Sequence, residues 1–154
     1  MQDNPIFEFI QNPVIWTAVA ANVSAQVVKG LLHALLNRKW AREPFFTTGG
    51  MPSSHSAFVA ALAISVGARE GFDSAVFALS LVFAVIVMFD AAGVRRAAGK
   101  QAQVLNRLLE MLNDQGIALD VKLKELLGHS PLQVIVGAIW GFIVAAFAVG
   151  VVWA

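Results

Sequence analysis

The chain has 154 residues, 58% of them hydrophobic and only 14% charged, with a net charge of +1 and no cysteine. That balance leaves too little polar surface for a water-soluble domain of this length. It gives nucleic acid no surplus of positive charge to bind, and it excludes disulfides and thiolate metal sites.

Asp3 and Glu8 precede the first apolar run, where a cleaved leader would carry Lys or Arg, so no cleaved leader is expected. A membrane-crossing helix needs about 20 mostly apolar residues. The first such run extends from about Val14 to Leu36, behind Pro13. It carries Asn22, Gln26, Lys29 and His33 at steps of four, three and four, which places all four on one helical face. Lipid does not tolerate such a stripe, so this face is expected to look into a bundle.

A basic loop follows, with Arg38, Lys39 and Arg42, and it closes on the segment Gly49-Gly50-Met51-Pro52-Ser53-Ser54-His55-Ser56. The next apolar run, Ala57 to about Ala68, is short for a full crossing, and Arg69, Glu70, Gly71 and Asp73 then make a turn. The run Ala75 to Phe89 is almost purely apolar and stops at Asp90. From Val94 to about Asn113 the apolar residues Val94, Ala97, Ala98, Leu105, Leu108, Leu109 and Leu112 recur at helical spacing. Arg95, Arg96, Lys100, Gln103, Asn106, Arg107 and Glu110 fill the remaining surface, the pattern of an amphipathic helix at the membrane interface. Gly116 ends it, a shorter helical stretch is expected around Val121–Leu127, and the run Pro131 to Trp153 reads as another crossing. The pattern therefore predicts an all-α, polytopic membrane helix bundle. It forms one membrane-embedded domain of about four spanning helices plus an interfacial amphipathic helix.

Nine of the eleven Lys and Arg residues fall on one side of this arrangement: Arg38, Lys39, Arg42, Arg95, Arg96, Lys100, Arg107, Lys122 and Lys124. The positive-inside rule puts that side in the cytoplasm, and a bacterial cytoplasmic membrane is the expected location. Gly137 and Gly141 form a small-xxx-small step that permits close helix contact, within the bundle or between two chains of a homodimer.

Four polar features share the cationic face: Gly49–Ser56, Asp90 with Arg95 and Arg96, the Lys122/Lys124 pair, and Leu127-Gly128-His129-Ser130-Pro131. Around Ser53 the glycines admit close backbone approach, proline suits a first helical turn and serine caps it, so free N–H groups there would face an anion. An ordinary capped helix with an exposed histidine explains that segment equally well. A second histidine, His129, stands at another helix start on the same face. Two imidazoles among cations fit phosphoryl transfer, one attacking phosphorus and the other protonating the leaving oxygen. A zinc site wants three closely placed ligands; His55, His129 and Asp90 could supply them in principle, but no spacing argues for it, so no metal or other cofactor is expected.

At these residues the sequence resembles the divergent membrane branch of the type 2 phosphatidic acid phosphatase and vanadium haloperoxidase superfamily. Pro52-Ser53-Ser54-His55 is similar to its Pro-Ser-Gly-His motif, and Leu127-Gly128-His129 with Gly137 is similar to the end of its third motif. The string Gly49 to Ala57 and the segments around Asp90-Ala91-Ala92-Gly93 and Lys124–His129 extend the likeness from about Lys29 to Gly137. The resemblance implies that His129 is the nucleophile, that His55 is the acid for the leaving group, and that Ser53 and Ser54 bind phosphate. Lys29 and Arg42 echo the first motif.

The sequence departs from the family's pattern in its first motif, in having about four spans where the family's membrane enzymes have about six, and at two places in the third motif. Gln133 replaces the aspartate four positions after the histidine, with Asp90 as a stand-in for its charge. Lys124 stands near the place of the motif arginine, with Arg95 and Arg96 as further phosphate-binding cations. The function implied is hydrolysis of a membrane lipid phosphate or diphosphate through a phosphohistidine. The alternative is a non-enzymatic membrane protein that binds anionic lipid head groups, or a partner, through the altered site.

Overall fold

The computed structural model describes residues 4–37, 50–117, 119, 121–123, 125 and 128–153. All regular structure among them is helical. A short helix α1 (Pro5–Ile10) precedes α2 (Pro13–Asn37), α3 (Ser54–Glu70), α4 (Ala75–Ala92), α5 (Val94–Asp114) and α6 (Pro131–Phe147), which ends in a wider π-helical turn, Ala148–Val152. The chain is an integral membrane helix bundle. Among the described residues, three stretches are long and apolar enough to cross a membrane: Pro13–Leu36, the run Ala75–Asp114 and Pro131–Val152.

Of the four expected crossings, α3 is the one that falls short. Its 17 residues make a helix of about 25 Å, against a hydrocarbon core of about 30 Å. It is instead the centre of the bundle, packed by α2, α4 and α6. Its sequence explains that position, because Ala57, Ala61, Ala63, Ser65 and Gly67 are all buried and all small, so neighbouring backbones come close on several sides. One seam joins Ala21 and Ala25 of α2, Ala57 and Ala61 of α3, and Ala145 of α6. A second joins Val59 and Ala63 to Ala84 of α4. The Trp140 indole N–H donates to Ser24 Oγ at 3.0 Å and ties α6 to α2. The outer faces carry Leu79, Val82, Phe83, Ile86 and Phe89 of α4 and Ile135, Ile139 and Phe142 of α6, exposed as lipid-facing side chains should be.

Gly137 and Gly141 are spent inside the bundle. A Cβ on Gly137 would lie 2.3 Å from the Ser53 carbonyl oxygen, and one on Gly141 would lie 2.2 Å from that of Ala57. The small-xxx-small step is thus the α6 side of the α3 crossing, and both glycines are buried there.

Helix α5 extends over the expected Val94–Asn113 range and leaves α4 at Gly93. Its buried residues are Gly99, Ala102 and Asn106, while Val94, Leu105 and Leu108 are exposed. Within the stretch Val121–Leu127, where a helix is expected, the described residues 121–123 and 125 are not helical. Asn106, expected on the polar surface, is buried and accounts for this. Its Oδ1 accepts from the Leu123 N–H at 2.9 Å, and its Nδ2 donates to the Leu123 carbonyl at 2.8 Å and to Glu125 Oε1 at 2.6 Å. Both backbone groups of Leu123 are therefore taken by a side chain and are lost to a helix ladder.

Candidate active site

Helices α3 and α6 begin at the end of the bundle where α4 finishes and where α2 carries Lys29, so the polar segments meet there. Three local devices hold them. Ser53 caps α3, its Oγ accepting from the Ser56 N–H at 3.3 Å and from the Ser56 hydroxyl at 3.0 Å. The Ser53 N–H in turn donates to the Gln133 carbonyl at 3.1 Å, which docks the start of α3 on the first turn of α6. The His129 N–H donates to the Ala91 carbonyl at 2.9 Å, satisfying one of the last carbonyls of α4. Gly128 makes that approach possible. Its φ is +84°, and a Cβ there would stand 2.3 Å from the Arg96 backbone nitrogen.

The result places His55 and His129 with ring centroids 6.3 Å apart and their planes 79° from parallel. Together with Val87, Asp90, Ala91 and Arg95 they line a cavity of ≈ 20 Å³, about the room for one water. His129 is 3% exposed, and its Nε2 is buried with no hydrogen-bond partner among the described residues. A buried polar atom in that state costs free energy, and His129 is among the residues that line the cavity. Arg95 Nε donates to Asp90 Oδ2 at 2.7 Å, and both side chains are partly exposed, which makes them the mouth of the cavity.

Lys29 is 4% exposed, and its stem packs close to Gly50, whose added Cβ would lie 3.2 Å from the Lys29 Cδ. Its charge acts on both imidazoles. Burial, then the charges of Arg95 and Lys29, push His55 below its ordinary value of 6.5, and Asp90 pulls weakly the other way. Burial is also the largest cause for His129, which is likewise lowered. The Gly128 carbonyl opposes the shift, and Lys29, His55 and Arg95 reinforce it. Both imidazoles are thereby biased toward the neutral form.

Of the site residues expected from the sequence, the structure brings His55, His129, Asp90 and Arg95 to one cavity. Lys29 is buried close enough for its charge to reach both imidazoles. Arg96 is exposed beside Gly128 and does not line the cavity. Ser53 and Ser54 are wholly interior behind His55: Ser53 caps α3, and the Ser54 carbonyl accepts from Asn22 Nδ2 at 3.2 Å. Arg42 and Lys124 lie outside the described residues, as do Arg38 and Lys39. Gln133 is engaged elsewhere than on the imidazole. Its Oε1 accepts from the Ser130 N–H at 2.9 Å while its own N–H donates to Ser130 Oγ, a reciprocal capping box. Val87 and Ala91 complete the lining. Nothing about Val87 in the sequence marks it out, whereas Ala91 belongs to the Asp90–Gly93 segment.

Residues 10–144 match the Divergent PAP2 family. The chain belongs to that family. It is also similar to the uncharacterized membrane protein YuiD of Bacillus subtilis (strain 168), with 44% identity over 147 residues that cover 88% of this chain and 93% of that protein. No solved structure matches the chain significantly.

Proposed function

We propose that this protein is a phosphatase of the type 2 phosphatidic acid phosphatase and vanadium haloperoxidase superfamily that hydrolyses a lipid phosphate or diphosphate at the membrane surface. The observation that carries this reading is that His129, whose buried Nε2 has no hydrogen-bond partner among the described residues, lines one cavity with His55 and Arg95. In the reaction His129 attacks phosphorus, and the bond from phosphorus to the leaving oxygen breaks as His55 gives that oxygen its proton. Water then attacks the phosphohistidine, His55 takes the water's proton, and inorganic phosphate leaves His129 free. The 6.3 Å between rings suits a phosphoryl group held between them, with nitrogen roughly 3–3.5 Å from phosphorus at attack. Lys29 and Arg95 supply positive charge to the phosphoryl oxygens. The cavity must widen to admit the group, and Arg95, half exposed at the mouth, must swing away from Asp90 to widen it. The lipid's tails remain among the helices, and the cationic side of the bundle faces the cytoplasm.

One observation favours a second reading, a protein that binds anionic head groups without cleaving them. Gln133, which stands where the family has an aspartate, is locked in a capping box and so is not turned to His129. Phosphate release from a panel of lipid phosphates by the purified chain, beside His129→Ala and His55→Ala, decides between the two. Release that collapses in both variants supports the phosphatase. Binding with no release from any lipid supports the binder and refutes the phosphatase.

A further inference from the structure

A phosphate site at a membrane surface has a selectivity problem. The bilayer surrounds it with phosphodiester lipids, each bearing a singly charged phosphate, and a pair of cations beside two imidazoles attracts those phosphates too. Asp90 stands where that problem can be solved. It lines the same cavity as both histidines, and its carboxylate holds Arg95 at 2.7 Å on the exposed side. The contact crosses the break between α4 and α5 at Gly93, so it is not a pair along one continuous helix.

We propose that Asp90 is a specificity-determining residue, an internal anion that occupies Arg95 and rejects phosphodiesters while yielding to a doubly charged terminal phosphate. This rests on the phosphate-site reading above. The electrostatics follow from counting charges. A diester that displaces Asp90 from Arg95 trades one negative charge for another and leaves a carboxylate beside the bound anion, so it gains nothing. A terminal monoester or diphosphate brings about one more negative charge. That charge is left over after the exchange, for a protonated His55 and the field of Lys29. A half-exposed ion pair is worth up to about 1 kcal/mol, or about fivefold, and the repulsion between Asp90 and the incoming anion adds to it.

The test is calorimetric binding to the full chain in detergent, using a short-chain diacylglycerol phosphate monoester and its methyl diester, which share the same tails. The wild type should prefer the monoester by about tenfold or more. Asp90→Asn, nearly isosteric, should shrink that preference by about fivefold or more, chiefly by gaining the diester. Asp90→Glu keeps the charge and should keep the preference. An unchanged ratio in Asp90→Asn, with monoester binding retained, overturns this inference alone. A wild type that binds monoester and diester equally does the same. A wild type that binds neither and releases no phosphate overturns the phosphate site itself.

Discussion

The crossing of α3 and α6 sets the distance between the two histidines, and Gly137→Ala tests it directly. The added methyl would lie 2.3 Å from the Ser53 carbonyl oxygen and 3.0 Å from the Ser53 nitrogen and Cβ, whereas ordinary contact starts at 3.4 Å. Two of those three atoms are backbone at the capped start of a helix, so they cannot swing away. The helices must part by about 1 Å. Overpacking of this kind costs about 1–3 kcal/mol. The Ser53 N–H to Gln133 carbonyl bond, at 3.1 Å, stretches as they part and contributes about 1 kcal/mol more. Because Ser53 is the cap of the helix that carries His55, and Gln133 is four residues from His129, the same movement misplaces the pair. A shift of that size costs about a hundredfold in rate. Thermal unfolding in detergent should show the lost stability. Phosphate release at a temperature where the variant is still folded should show the larger functional loss. Gly150→Ala is the control, since nothing lies within 4 Å of its Cβ position. A Gly137→Ala protein as stable and as active as Gly150→Ala would refute the close crossing.

Other outcomes follow from the site and its supports. With both imidazoles held below 6.5, a neutral His129 and a protonated His55 coexist only on the acid side, so the falling limb of kcat/KM should lie below 6.5 and the rate should already be declining as pH reaches that value. Arg95→Gln removes the second largest cause depressing His55, and the falling limb of the pH profile should move upward even as affinity drops. Gly128→Ala combines a φ of +84° with a Cβ 2.3 Å from the Arg96 nitrogen. It should cost at least about 1–3 kcal/mol in thermal unfolding and abolish phosphate release. Asn106→Ala should speed hydrogen exchange at the Leu123 amide, which Asn106 Oδ1 accepts from at 2.9 Å. Unchanged protection there would mean that the segment before His129 is held by something else.

Much of this architecture is legible in the sequence because lipid imposes a strict rule. A helix in hydrocarbon satisfies its own backbone, so apolar length marks crossings, and a polar stripe such as Asn22, Gln26, Lys29 and His33 marks an inward face. The structure agrees at Asn22, which reaches the Ser54 carbonyl, and at Lys29, which is buried. What length alone does not reveal is centrality. The run Ala57–Ala68 looks like a crossing cut short, yet its alanines, serines and glycine let three helices close around it. Length and smallness are separate signals, and in α3 smallness decides the position. Asn106 is the opposite case. It sits among charged residues on a strongly amphipathic helix and carries no mark of burial, and only the return of the chain at Leu123 covers it.

Gln133 shows how a family comparison and local chemistry compete for one residue. By position it replaces a carboxylate behind the histidine, which invites a role on the imidazole. By spacing it is the fourth residue of Ser130-Pro131-Leu132-Gln133, the pattern of a capping box with proline in the first turn. The local reading holds, because the box satisfies two backbone N–H groups at a helix start beside the membrane, where an unmet donor is expensive. An aspartate there could accept from the Ser130 N–H only with a shorter reach, so Gln133→Asp should weaken the box. Whether it also turns toward His129 is read from phosphate release. If the site is a working phosphatase that lacks only a charge behind its nucleophile, Gln133→Asp should raise the rate as stability falls. A loss of both would show that the glutamine's place is structural and that Arg95, Lys29 and His55 carry the chemistry without a carboxylate on His129.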